Sequence, residues 1–235
     1  MKNPKIFVNG FEPSSMTDWP NKNCSVLFLK GCNLSCHYCF NKELNEEINI
    51  YNVFDKLESR KKVIKNIILS GGEASLHPYF SLILEFLVHR GFKIGIHTNG
   101  HNIKYILNNL EAISFLGVDL KSDPESYKKI TGKDYPLYYE KDLIFKTALC
   151  SNVYTLISLA KKNNIEYELR SVISSRHTET NVSNMAKIAG FTGANKYYIT
   201  SERIDKEGKL TPVYSNKEME NLQKICSKYI KTVIK

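Results

Sequence analysis

The 235-residue chain contains no apolar run approaching the roughly 18 residues that a membrane span requires, so no transmembrane helix is predicted. Internal repeats, low-complexity tracts and Pro/Gly/Ser-rich linkers are missing as well, and one domain covering residues 1–235 is the simplest organisation. Only six cysteines occur; Cys24, Cys150 and Cys226 are single and scattered, as expected of buried thiols. The opening Met-Lys-Asn-Pro lacks a charged segment followed by an apolar one, which predicts a reducing, cytoplasmic location and argues against disulfides.

What remains is concentrated. Cys32, Cys36 and Cys39 place three thiols within eight residues, in the spacing Cys-x3-Cys-x2-Cys, with no fourth cysteine nearby. A structural zinc site closes with four ligands; no second Cys-x2-Cys follows, and His37 points away from its cysteine neighbours if the loop curls around a metal. A [4Fe–4S] cube normally takes four cysteines, so three on one loop suggest a cluster whose fourth iron is open to something other than protein.

Short apolar runs alternate with helical patterns, the signature of βαβ units. Strands are predicted at 25–29, 66–69, 93–97, 115–120, 165–173 and 196–200, which makes six parallel strands. Ile103, Ile106, Leu107 and Leu110 form a helical stripe, and residues 80–88, closed by Gly91, form another helix. Ser215 to Glu218 reads as a capping box opening a C-terminal helix over 215–235, with Met219, Leu222, Cys226 and Tyr229 on one face. Crossovers on parallel strands gather ligands at the carboxyl ends of the strands, where every suspect motif falls.

Those motifs are few. Gly71-Gly72-Glu73 follows one strand; its backbone carbonyls and carboxylate suit an ammonium group, although alone it is also an ordinary βα turn. His97-Thr98-Asn99-Gly100 follows the next strand, with polar groups suited to ribose hydroxyls. Asp119 and Lys121 share one side of a strand, as a ligand-binding pair or a structural salt bridge. Arg170 lies on a later strand, and His177 shortly after it is a polar tip or a helix cap.

Taken together, the cysteine loop, Gly71 to Glu73 and His97 to Gly100 resemble the radical S-adenosylmethionine (SAM) superfamily, over residues 11–200. The resemblance implies an α/β fold, a partial (β/α)6 TIM-like barrel with its core at about 20–200. It also implies a [4Fe–4S] cluster on Cys32, Cys36 and Cys39, and SAM bound to the open iron and cleaved to a 5′-deoxyadenosyl radical. Tyr38 would lie against the adenine, Gly71, Gly72 and Glu73 against the amino group, and His97 and Asn99 against the ribose. Asn41, Asp119, Lys121, Arg170 and His177 would also contact SAM, with Lys121 near its carboxylate. Ala74-Ser75 stands where the family often has Pro-Thr or Pro-Leu.

Thr17-Asp18-Trp19-Pro20 and Cys36 to Leu44 are further similar to activating proteins of anaerobic ribonucleotide reductase, with Asn21 and Lys42 where Gly and Pro are usual. That implies a glycyl radical enzyme as partner and an electron donor such as flavodoxin or ferredoxin. The alternative is a small-molecule radical SAM enzyme such as a 7-carboxy-7-deazaguanine synthase; a third reading is a carrier or RNA-binding module without SAM chemistry. The 33 basic and 24 acidic residues give +9, spread over short runs such as Arg60-Lys61-Lys62. This favours an anionic substrate or an acidic protein surface over nucleic acid.

Overall fold

The computed structural model describes residues 5–43, 46–134, 148–206 and 209–235, which fall into two compact units. The first takes its described residues from Met1–Asn33, Phe40–Thr98 and Asn102–Leu116; the second from Leu34–Cys39, Asn99–His101 and Gly117–Lys235.

In the first unit the strands are β1 (Gly10–Trp19), β2 (Lys22–Leu29), β3 (Asn66–Gly71) and β4 (Lys93–Thr98). β1 is antiparallel to β2, while β2, β3 and β4 pair in parallel in that order. Ile67, Ile68 and Leu69 are all buried, the continuous apolar run of a strand covered on both faces. Trp19, Cys24, Val26, Ile68 and Phe115 form a core cluster in which the Trp19 and Phe115 rings stack 5.1 Å apart. At the tight β1–β2 turn Asn21 takes φ 57°, a left-handed conformation that Gly and Asn share, which explains Asn where glycine is usual.

Helix α1 (Ile50–Arg60) is started by the Asn49 side chain, which accepts from the Tyr51 N–H at 3.0 Å. It buries Ile50, Val53, Phe54 and Leu57, the i, i+3, i+4, i+7 stripe, each side chain contributing about 1.5–3 kcal/mol when fully covered. α2 (Phe80–His89) buries Phe80, Ile83, Leu84 and Leu87 in the same way. α3 (Ile103–Leu107) is shorter than its apolar stripe predicts, and only Ile106 of that stripe is buried. Asn108 and Asn109 end it: the Asn109 amide turns back to donate to the Tyr105 carbonyl at 2.8 Å.

Strand β5 (Ile113–Asp119) begins among residues of the first unit and ends among those of the second. The second unit continues with α4 (Tyr127–Thr131), α5 (Ala148–Lys162), β6 (Glu166–Ile173), α6 (Glu179–Phe191) and β7 (Tyr197–Ser201). A hairpin of Arg203–Lys206 with Lys209–Pro212 precedes α7 (Asn216–Cys226) and β8 (Thr232–Ile234). β6, β7 and β8 pair in parallel.

The six predicted strands are present within two residues at most boundaries; β1 and β8 are additions to them. The C-terminal segment differs from its reading as one helix. The Ser215–Glu218 capping box forms, but the helix ends at Cys226, and the β-branched run Thr232-Val233-Ile234 pairs with β7 instead. Tyr229 therefore lies outside the helix and is exposed, while Met219, Leu222 and Cys226 are buried. No described helix is long and apolar enough to cross a membrane.

Candidate active site

In the first unit the segment leaving β2 and the turn leaving β3 are joined backbone to backbone. The Gly72 N–H donates to the Leu29 carbonyl at 2.9 Å and the Glu73 N–H to the Gly31 carbonyl at 2.7 Å. A Cβ on Gly72 would collide with the Gly31 carbonyl and reach within 3.3 Å of the Cys32 Cβ; one on Gly71, at φ 109°, would strike the Leu29 backbone. Gly72 is thus required by close approach, and Gly71 by close approach and by its left-handed conformation. The Asn41 amide donates to the Gly71 carbonyl, which ties the segment after the cysteine loop to the same turn.

Glu73 is buried, and one of its carboxylate oxygens accepts from Ser75 Oγ at 2.6 Å and Thr98 Oγ1 at 2.9 Å. His97 is also buried; its Nε2 meets the Asp18 carbonyl at 3.0 Å and its Nδ1 meets Ser70 Oγ at 3.3 Å. The glycine turn, Glu73 and His97 are therefore brought into one hydrogen-bonded region. Thr98, read from the sequence with its neighbours as suited to ribose hydroxyls, here supports Glu73.

In the second unit Cys36 is buried and Cys39 half-buried, and the Cys39 N–H donates to the Cys36 carbonyl at 3.2 Å, closing a turn. Tyr38 within that turn is buried, and its hydroxyl has no hydrogen-bond partner among the described residues. Asp119 binds both cations of its group: Lys121 Nζ lies 2.8 Å from one carboxylate oxygen and Arg170 Nε 2.5 Å from the other. Burial opposes charge on Asp119, but Arg170 and Lys121, through charge and hydrogen bonds, hold its pKa well below the carboxylate range. Burial likewise opposes charge on Lys121, and Asp119 outweighs it, so the ammonium stays protonated far above its ordinary pKa.

Asn99 is buried, and its side chain accepts from the His101 N–H at 3.0 Å, an Asx turn at the end of β4. His177 has both ring nitrogens engaged: Nδ1 accepts from the Ser174 N–H at 3.0 Å, and Nε2 meets Ser122 Oγ at 3.2 Å. Burial pushes its pKa down to about 4, against the opposing pull of Asp123, so the ring is neutral at pH 7. The α6 cap is Thr178, not His177.

The donor chemistry fits an iron–sulfur cluster: three thiols on one loop, two of them reachable by solvent. Burial holds Cys24 and Cys226 as thiols, with pKa values raised to about 12. Among the described residues no three His, Cys, Asp or Glu side chains already stand gathered as for a metal ion.

Comparison with solved structures places the fold. A radical SAM methyltransferase from Sphaerobacter thermophilus superposes with a TM-score of 0.64 over 92% of this chain and 67% of its own, at 13% identity. SuiB of Streptococcus suis bound to S-adenosylmethionine gives 0.61 over 87% of this chain at 13% identity; the chain spans about half of SuiB's length. The fold class is α/β, the partial TIM-like barrel of radical SAM cores.

The Radical SAM superfamily model matches residues 26–173, and the chain belongs to that superfamily. It is a radical SAM enzyme, and the cofactors of the family are a [4Fe–4S] cluster and SAM. A protein of Methanocaldococcus jannaschii, provisionally named a glycyl-radical enzyme activating enzyme, is 27% identical over 98% of this chain and 95% of its own. The pyruvate formate-lyase-activating enzyme of Clostridium pasteurianum is 28% identical over 54% of this chain and 57% of its own. A 7-carboxy-7-deazaguanine synthase of Aquifex aeolicus is 28% identical over 50% and 52%.

Proposed function

We propose that this chain is an activating enzyme that generates a glycyl radical on a partner enzyme, anaerobic ribonucleotide reductase being the partner the sequence favours. The observation that carries this reading is the similarity to the M. jannaschii protein, which extends over nearly the whole of both chains. The matches to 7-carboxy-7-deazaguanine synthase reach only about half of either chain in the A. aeolicus case.

In this reading Cys32, Cys36 and Cys39 would hold the cluster, which once reduced would supply the electron for cleavage of SAM to methionine and a 5′-deoxyadenosyl radical. The chain's own residues bind and orient. Gly71, Gly72 and Glu73 offer acceptors to SAM's ammonium, and Lys121 and Arg170 offer cations to its carboxylate, with Asp119 keeping both aimed. His97 and Asn99 flank the ribose, and Tyr38 covers the adenine. Asn41 acts on the ligand through the Gly71 carbonyl it holds, and His177 acts through Ser122 and Ser174. No side chain serves as a general acid or base; the task is to position SAM and a partner glycine and exclude water. An acidic flavodoxin or ferredoxin as reductant suits the +9 charge.

The test is anaerobic reconstitution with iron and sulfide, followed by reductant and SAM. Wild-type protein yields methionine and 5′-deoxyadenosine, and Cys36→Ala yields neither. Addition of anaerobic ribonucleotide reductase then gives the doublet of a glycyl radical by electron paramagnetic resonance. Cleavage without that signal, together with turnover of a pterin carboxylate, would instead favour the small-molecule enzyme.

A further inference from the structure

The loop that carries Cys36 and Cys39 is gripped from one side by residues that no cofactor contact explains. His37, between those cysteines, packs its ring against other residues of the same unit. Nδ1 lies 3.3 Å from the Ile130 carbonyl and Nε2 lies 2.7 Å from Ser174 Oγ, with a carboxylate oxygen of Glu202 3.6 Å from the same Nε2. Ser174 Oγ also accepts the Arg176 N–H at 3.1 Å, so the hydroxyl that meets the His37 ring is held in place from a second side.

Ser174 is itself fully buried and immobilised. Its N–H donates to His177 Nδ1, and its carbonyl accepts from the Tyr214 hydroxyl at 3.0 Å. Glu202, also buried, accepts the Ser175 N–H at 2.9 Å and the Ser175 hydroxyl at 3.2 Å, so one carboxylate anchors the turn that presents Ser174. The loop's backbone is held as well: the Ser35 N–H donates to the Thr131 carbonyl at 2.8 Å and the His37 N–H to the Ile130 carbonyl at 3.4 Å. Gly132, at φ 70°, leaves Ser35 just enough room, since a Cβ there would stand 3.1 Å from the Ser35 Cβ.

We propose that Ser174 and Glu202 are positioning residues for the cluster: through the His37 ring they fix the path of the loop from Cys36 to Cys39, and so the placement of two of its three thiolates. The proposal rests on the radical SAM reading for the identity of the cluster, while the clamp itself is a property of the protein without it. A buried hydroxyl joined to a buried ring transmits position because loss of either partner leaves the other unsatisfied. Ligand-orienting contacts of this kind tune a metal centre without touching it.

The test compares the full-length chain with Ser174→Ala, His37→Ala, the double variant and His37→Gln, whose amide keeps an acceptor toward Ser174. Thiol alkylation of the anaerobic, cluster-free protein is followed cysteine by cysteine by mass spectrometry. Cys36 and Cys39 are expected to react roughly tenfold faster in either alanine variant, no faster in the double variant than in the single ones, and at closer to the wild-type rate in His37→Gln. Cys226, fully buried in α7, is expected to keep its wild-type rate in all of them, which separates a released loop from a loosened fold. After reconstitution to equal iron content, the reduced cluster of Ser174→Ala should show an altered paramagnetic resonance spectrum. Unchanged reactivity at Cys36 and Cys39, a parallel rise at Cys226, or a spectrum identical to wild type would overturn the proposal. Failure of the wild-type protein to cleave SAM would overturn the functional reading and leave the thiol comparison standing.

Discussion

The turn after β3 and the charged group after β5 are built on opposite principles. Gly71 and Gly72 work by what they lack: two side chains are omitted so that one backbone can lie against another. Asp119, Lys121 and Arg170 work by what they add, two cations on one carboxylate with side chains only about one-fifth exposed. The first kind of construction answers to sterics and is indifferent to salt and pH; the second answers to both.

The largest effect should come from the steric side. Gly72→Ala sets a methyl group onto the Gly31 carbonyl and is expected to cost about 3 kcal/mol in denaturant unfolding, with SAM binding lost. That cost should be the same at low and high salt; a variant as stable as wild type would show that the two backbones can part cheaply. Next comes Arg170→Met, which leaves Asp119 with Lys121 alone. Because the pair is partly exposed, about 2 kcal/mol is expected, between surface and buried ion pairs, and it should shrink as salt is raised. A cost independent of ionic strength would move this group to the steric class.

The pH dependence sharpens the contrast further. Asp119 has a folded pKa below its unfolded one, so its contribution is complete above about pH 4 and is lost as pH falls below that value. His177, lowered from the usual 6.5 to about 4, is a base kept neutral by burial. Its contribution is complete above 6.5 and is lost as pH falls from there toward 4. His177→Gln is therefore expected to flatten the decline of Tm between pH 6.5 and 4.5 and, unlike either substitution above, to show no pH-linked effect above pH 7. An unchanged slope would mean that another group carries that titration.

The distinction also governs what could be read from sequence. The six parallel strands were legible because their apolar runs are short and bounded by turn residues. The antiparallel β1 was not, since its residues alternate between partly buried and exposed and include Pro13. Asp119 and Lys121 were legible as a pair through the period of a strand, but the third member, Arg170, joins them across 51 positions, a contact with no local signature. His97 and Asn99 were read as ligand contacts, and the structure shows each also bonded within the protein. Lys42, at a position where Pro is usual, and Leu44 lie outside the residues whose side chains are described. Gly72 was read as leaving room for a ligand; that it also leaves room for the Gly31 carbonyl depends on two strands lying side by side.

The clamp on His37 has a consequence for the order of events in the life of the chain. Ser174 follows His37 by 137 positions, so the ribosome releases Cys36 and Cys39 long before the residue that holds their loop has been made. At ordinary elongation speeds the interval is on the order of ten seconds. During it the two thiols travel on an unanchored segment, open to oxidation and to stray metals. On the proposed assignment of these thiols, metal loading belongs after synthesis.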